Sequence, residues 1–392
     1  MPQVMQCQGR RRSGTIMAGL SAHLDEPSAP VGHPRVAPRL LPILALASLA
    51  LLVLITACSL SSFSRGKPQA DSGAVQNGLS YMARQSAPFS SPEAERSLSS
   101  LAATGANWLS LIVFGYQDTI DSTTITYTTK RTDTDSDLAH VIKGAHQLGL
   151  RVMLKPHVDL LKDPAHWRGQ IGQDFRSEAQ WSLWFASYRD FIEHYAALAQ
   201  RHGVEQFAVG TELSATAGRE ADWRTVIASV RKIYDGPLTY AANHGGEEME
   251  IRWWDAVDYI GVDAYYRLAD RDNPTAGELE AAWRSRIASL DELASSWNKP
   301  ILFTEIGYRS INGATRRPSD WQREAPLDLQ EQADAYQAVF ETVYNQPWFA
   351  GLFWWVWSTD PARGGPADDG YSPYGKPAEA ILRSWYASPR PG

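Results

Sequence analysis

The stretch 300-PILFTEIGY-308 is a short apolar run that ends in a carboxylate. Pro300 opens it, Ile301, Leu302 and Phe303 carry no polar atom, and Glu305 arrives before the chain turns at Gly307. A continuous apolar run of this length reads as a strand buried on both faces, the habit of parallel sheets. A buried carboxylate without partners is costly, so Glu305 calls for a special environment. Seven further runs have the same form: 77-NGLSYMA-83, 106-ANWLSLIVFG-115, 150-LRVMLKPHV-158, 204-VEQFAVGTEL-213, 237-PLTYAAN-243, 257-VDYIGVDAYY-266 and 350-AGLFWWVWS-358.

Helical patterns separate these runs, among them 92-PEAERSLSSLAATG-105, 135-DSDLAHVIKGAHQLG-149 and 177-SEAQWSLWFASYRDFIEHYAALAQRHG-203. Pro92 sits at a first helical turn, and Gly105, Gly149 and Gly203 supply stop signals. Alternation of strand and helix implies a parallel sheet covered by helices. Eight units over roughly 310 residues fit a single (β/α)₈ barrel, usually about 250 residues before insertions. A doubly wound open sheet is the competitor, but no GxGxxG follows the first strand. The sequence therefore predicts an α/β fold of the barrel type.

The chain has 392 residues, 44% hydrophobic and 21% charged, with a net charge of −7. No Lys/Arg stripe accompanies that acidic balance, which argues against nucleic acid as a partner. The two cysteines, Cys7 and Cys58, both precede the first strand, so the barrel holds no disulfide and no cysteine metal site. The run 40-LLPILALASLALLVLITA-57 follows Arg35 and Arg39 and precedes Cys58. A basic flank, an apolar core and small residues before a cleavage point mark a secretory signal. Ile55-Thr56-Ala57-Cys58 is similar to a bacterial lipobox, in which the cysteine is lipidated and becomes the new N-terminus. An uncleaved single-pass anchor is the alternative, since about 20 apolar residues span a bilayer. The expected organisation is a signal with an N-terminal extension over 1–57, a Ser/Gly/Pro-rich tether over 58–76, and a catalytic barrel over 77–388. Both alternatives put that barrel outside the cytoplasm, held at a bacterial membrane.

A barrel gathers chemistry at the C-terminal ends of its strands. The polar residues late in these runs are Lys155 and His157, Glu212, Asn243 and His244, Asp263 and Tyr265, and Glu305. Glu212 and Glu305 each follow a threonine at the end of a run that is otherwise apolar. Two carboxylates at one barrel mouth suit cleavage of a glycosidic bond, one protonated as acid and one ionised as nucleophile. Their surroundings must split their pKa values for that division of labour.

Six segments in register, 150-LRVMLKPHVDL-160, 167-WRGQI-171, 207-FAVGTEL-213, 260-IGVDAYY-266, 302-LFTEIGY-308 and 352-LFWWVWS-358, carry a resemblance over nearly all of residues 77–388. The chain is similar to glycoside hydrolase family 113, whose characterised members are β-1,4-mannanases, within the retaining clan A, the "4/7" superfamily. The resemblance implies that Glu212 is the acid/base and Glu305 the nucleophile. It also implies that Tyr265 donates a hydrogen bond to Glu305, the alternative being a core or rim aromatic. The wider clan usually carries Asn before the acid/base; Thr211 stands there instead.

Lys155 and His157 share a strand face. They either bind sugar hydroxyls or form an ion pair capping the core with Asp159 or Asp263. Asn243 and His244 are expected to bind substrate. Among the 15 tryptophans, alternation places Trp355 and Trp357 on one face of strand eight, with Trp354 on the other. Trp357, nearer the mouth, is expected to floor a sugar subsite with Trp355 behind it, and Trp167 to wall the cleft. The remaining tryptophans are assigned to packing.

The run 133-DTDSD-137 begins like a calcium loop, but Leu138 and Gly144 stand where that loop needs Gly and Glu. It reads as the acidic start of a helix. HExxH and GxSxG are both absent, so no metal and no cofactor is expected. The leading expectation is a retaining endo-acting β-mannanase-like hydrolase. Its competitors are a hydrolase or transglycosylase of another β-glycan, such as a β-glucan or exopolysaccharide, and a non-catalytic carbohydrate-binding surface lipoprotein.

Overall fold

The computed structural model describes residues 75–83 and 87–388. The expected signal, the lipid-bearing Cys58 and the tether lie outside them. Eight parallel strands form a closed barrel in chain order: β1 (Gln76–Met82), β2 (Trp108–Gln117), β3 (Arg151–Leu160), β4 (Gln206–Thr211), β5 (Leu238–Asn243), β6 (Tyr259–Asp263), β7 (Ile301–Ile306) and β8 (Phe349–Ser358). Each coincides to within a few residues with an apolar run read from the sequence. Every residue of β4 and β7 is buried, because one face packs on barrel interior and the other on helices.

One helix follows each strand: α1 (Pro92–Ala102), α2 (Asp135–Gln147), α3 (Glu178–His202), α4 (Glu220–Val230), the single turn α5 (Glu247–Glu250), α6 (Ala276–Trp297), α7 (Leu329–Thr342) and α8 (Pro377–Tyr386). Local sequence sets their ends. The Ser91, Thr134 and Ser177 side chains accept from backbone N–H groups that the first turns of α1, α2 and α3 leave free. Gly203 ends α3 with φ +68°, a conformation that costs glycine no Cβ clash. The 133–137 run does begin a helix: Thr134 caps α2, and Asp135 and Asp137 lie in its first turn.

Two apolar regions hold the barrel together. The larger lies between sheet and helices and absorbs most of the tryptophans: Trp223 stacks on Trp253 at 5.2 Å, and Trp354 on Tyr336 of α7 at 3.6 Å. The smaller, Trp108, Met153, Leu302 and Phe353, fills the barrel interior near the strand starts. Gly78 of β1 makes room for it, since a Cβ there would lie 2.2 Å from the Phe353 ring. Above this plug the interior turns polar. Register slips interrupt four strand pairs, β1/β8, β4/β5, β6/β7 and β7/β8. Such bulges re-aim side chains, and those in β4, β6 and β7 lie beside the acidic residues.

Candidate active site

The polar upper interior centres on Lys155 of β3. Its side chain is fully buried, and its ammonium donates to Asp263 Oδ1 and Oδ2 at 3.0 and 3.2 Å and to Glu305 Oε1 at 2.6 Å. Thr304 adds a bond to Asp263 Oδ1 at 2.7 Å. Of the two sequence readings of Lys155, the core ion pair with Asp263 is therefore the one observed. Lys155 and Asp263, expected among the sugar-binding groups, lie beneath the cleft and turn their polar atoms toward Glu305 and each other. Burial pulls the lysine pKa down, but the two carboxylates outweigh it and the net shift is upward, so Lys155 stays charged. Burial, joined by the nearby Glu305 charge, pushes Asp263 well above the ordinary carboxylate range despite the lysine.

Glu305 receives a second donor on its other oxygen: Tyr265 O–H to Oε2 at 2.8 Å. Burial and the Glu305 charge raise the Tyr265 phenol well above 10, so it remains a donor. His157, one strand-repeat beyond Lys155, brings Nε2 to 3.6 Å from Glu305 Oε1, near contact but longer than a hydrogen bond. Its two ring nitrogens are buried without a hydrogen-bond partner among the described residues. Burial, with the Arg168 and Lys155 charges adding to it, holds the imidazole well below its usual pKa and hence neutral. Phe114 meets the ring edge-on at 5.3 Å, and Trp355 stacks against it at 6.2 Å with planes 19° apart.

Glu212 follows β4 in a left-handed conformation, φ +52°. That costs a non-glycine residue about 1 kcal/mol or more and persists only where neighbours fix it. Its N–H donates to the Ala241 carbonyl at 2.8 Å, and Arg168 Nη1 donates to its Oε2 at 2.9 Å. Arg168 comes from the loop after β3 and also donates through Nε to the Val158 carbonyl at 3.3 Å. Burial raises the Glu212 pKa, the Arg168 charge works against that rise, and the Glu305 charge adds to it. The two glutamates thus lie within electrostatic reach of each other, each with its own cation.

Trp357 was expected at the mouth and stands elsewhere. The β1/β8 pairing runs Leu79 to Trp354 and then Tyr81 to Trp357, so β8 carries an extra residue between them. That slip puts Trp354 and Trp357 on the same, helix-facing side: Trp357 donates through Nε1 to Ser97 of α1 at 3.0 Å and is 2% exposed. Trp355 alone turns to the site. Trp167 is 42% exposed in the β3–α3 loop, next to Arg168. The His244 ring lies edge-on to Tyr265 and Tyr266 at 6.1 and 5.8 Å. Asn243 contributes its backbone N–H to Glu247 Oε2 at 2.8 Å.

Sequence reading overlooked Arg168 as a partner of Glu212. It also overlooked Glu247 of α5, a buried carboxyl pushed up to about 7 by desolvation. The one signal for Arg168 was a cation in the 167-WRG-169 loop; Glu247 had none, because its helix is a single turn. Among the described residues no cluster of His, Cys, Asp and Glu is arranged to hold a metal ion, and no helix is long and apolar enough to cross a membrane.

The sequence profile of Glycoside Hydrolase Family 113 matches residues 79–376. The chain belongs to that family. Three solved family 113 structures superimpose on it closely. A GH113 β-1,4-mannanase solved as a complex is 31% identical, with a TM-score of 0.72, covering 80% of this chain and 99% of its own. The GH113 β-mannanase AaManA of Alicyclobacillus acidocaldarius, in complex with ManMIm, is 34% identical, with a TM-score of 0.71 over 81% and 98% of the two chains. Another GH113 β-1,4-mannanase is 30% identical, with a TM-score of 0.72 over 81% and 100%. The β-glucuronidase of Ruminococcus gnavus, 14% identical at a TM-score of 0.53 over 80% of this chain and 50% of its own, shares the barrel alone. No curated protein sequence matches. As a family 113 member, the chain is a glycoside hydrolase.

Proposed function

We propose that this family 113 member is a retaining β-1,4-mannanase, with Glu305 as nucleophile and Glu212 as acid/base. The observation that carries the reading is the asymmetry of the two glutamates. Glu305 accepts from Lys155 on one oxygen and from Tyr265 on the other, so both of its oxygens are held as acceptors. Glu212 has a single charged partner, on Oε2, and burial lifts its pKa. A Glu305 oxygen attacks the anomeric carbon while the bond to the leaving oxygen breaks, and Glu212 gives that oxygen its proton. Glu212 then takes a proton from water as the water oxygen bonds to the anomeric carbon and the Glu305 ester bond breaks. Neutral His157, whose two buried ring nitrogens have no hydrogen-bond partner among the described residues, is suited to a sugar hydroxyl, and Trp355 to an apolar sugar face. Three β-mannanases at 30–34% identity support mannan as the substrate.

The test is release of reducing ends from mannan, glucomannan, cellulose, xylan and β-1,3-glucan, with proton NMR following the anomeric configuration. Mannan is expected as the best substrate, with retention. Glu305→Ala and Glu212→Gln should each remove most turnover and leave the fold intact; near-normal turnover in either, or inversion, overturns the assignment. We further propose a lipid on Cys58 as the membrane tether, on the strength of the Ile55–Cys58 pattern alone.

A further inference from the structure

Glu247 is a buried carboxyl that the proposed reaction does not use, yet three donors, two from β5 and one from the turn after β4, converge on it. Tyr240 O–H of β5 reaches its Oε1 at 2.5 Å, Ser214 Oγ reaches Oε2 at 2.6 Å, and the Asn243 N–H reaches Oε2 at 2.8 Å. The Tyr240 oxygen in turn accepts the Leu213 N–H at 3.0 Å. Residues 213 and 214 follow Glu212 directly, and Glu212 is the residue held at φ +52°. The backbone just past Glu212 is therefore tied at Leu213 through Tyr240, and at Ser214 by direct contact, to one carboxyl.

Other contacts leave little slack in this arrangement. The Tyr240 ring is held in place, packed edge-on against the stacked pair of Trp223 at 5.1 Å and Trp253 at 5.0 Å. Arg168 fixes the far end of the Glu212 side chain, but a guanidinium on a surface loop does not set the backbone from which that side chain departs. A strained residue keeps its conformation only where surrounding contacts over-determine it; past residue 212 the Leu213 carbonyl accepts from Thr216 within the turn, while the bonds that tie the turn to β5 and α5 run from the Leu213 N–H and the Ser214 hydroxyl to Glu247.

We infer that Glu247, acting through Tyr240 and Ser214, is the positioning residue that aims Glu212 at the leaving-group oxygen. This rests on the acid/base reading of Glu212. Glu247 touches no reacting atom; it decides where the Glu212 proton stands. Misplacing a reacting group by about 1 Å lowers a rate on the order of 100-fold, and the loss should fall on the one step that needs the proton.

Leaving-group dependence separates this from a general weakening of the fold. A 2,4-dinitrophenolate departs without protonation; a phenolate does not. The probes are 2,4-dinitrophenyl and phenyl β-mannobiosides, and the variants are Tyr240→Phe, which keeps the packed ring, Ser214→Ala and Glu247→Gln. Each should lower kcat/KM on the phenyl substrate roughly 10- to 100-fold and leave the dinitrophenyl value within about threefold. Glu212→Ala is the reference, with a steeper leaving-group dependence and turnover restored by azide, which attacks the glycosyl-enzyme without a base. Should Tyr240→Phe and Ser214→Ala lose equally on both substrates, or on neither, while Glu212→Ala behaves as stated, the positioning role is overturned and the acid/base reading stands. If Glu212→Ala itself shows neither dependence nor azide rescue, the acid/base reading falls first. Melting curves confirm that each variant is folded, and Ser214→Ala, on a half-exposed turn, keeps the test alive should Glu247→Gln fail to fold.

Discussion

Lys155→Met removes the one cation that the barrel interior places between two carboxylates. Methionine fills nearly the same space, so the change deletes charge without opening a cavity. The lysine and Asp263 side chains are both 0% exposed and Glu305 is 5% exposed, so water cannot substitute for the lost ammonium. Breaking a buried pair from one side costs about 3–5 kcal/mol, which in a domain of roughly 300 residues lowers Tm by about 5–8 °C. The loss should depend on pH with a definite sign. Asp263 already has a pKa well above the unfolded value, and the variant removes a charge that was holding it down. A carboxyl raised in the folded state favours folding at pH values below its unfolded pKa, and that contribution disappears as pH rises through the folded pKa. The variant should therefore be nearer wild type at pH 5 than at pH 8. Lysine titration lies above this window and does not reverse the sign. Adding Asp263→Asn removes the second charge while an amide can still meet Thr304, and should restore more than half of the lost stability. Turnover should not return, since Glu305 still lacks its 2.6 Å donor. Thermal and urea unfolding from pH 5 to 8 with parallel assays make the measurement. A stability loss below about 1 kcal/mol, one that ignores pH, or a double variant no more stable than the single would refute the reasoning.

Arg168→Met removes the charge that holds the Glu212 pKa down against burial. The acid then stays protonated to higher pH, so the alkaline limb of kcat/KM should move upward; an unmoved limb would separate Arg168 from the titrating group. Neighbouring tryptophans should behave differently. Trp354→Ala empties a fully buried site against Tyr336 and should cost about 3–5 kcal/mol with activity per folded molecule retained. Trp355→Ala should leave Tm nearly unchanged and weaken glycan affinity roughly tenfold, read by calorimetry on an inactive Glu305 variant. Full-length chain expressed in a bacterium should take up labelled palmitate, and Cys58→Ser should not; equal labelling would rule out the lipid on Cys58.

The strands were legible because a parallel strand buried on both faces must be apolar along its length, a property carried by a handful of consecutive residues. The acidic and aromatic positions at strand ends were legible for the same reason turned around: Glu212, Tyr265 and Glu305 bring polar groups late into runs that are mostly apolar. Trp357 was misplaced because alternation assumes an unbroken register, and one extra residue in β8 reverses the face of everything after it. Arg168 and Glu247 were missed because they lie in loops, where neither period nor spacing constrains what a side chain meets.

By itself, then, the order of residues determined the eight-fold alternation, the closed sheet and the family, since burial and capping act over a few residues at a time. Only the folded barrel decided that one ammonium sits between Asp263 and Glu305, that an arginine from the third loop reaches Glu212, and that Glu247 ties down the backbone behind it. Those partners are 44 to 150 residues from the lysine or arginine they meet, or sit on a helix of a single turn. The energy that selects them comes from removing charged groups from water together, a condition that exists only once the chain has closed around them.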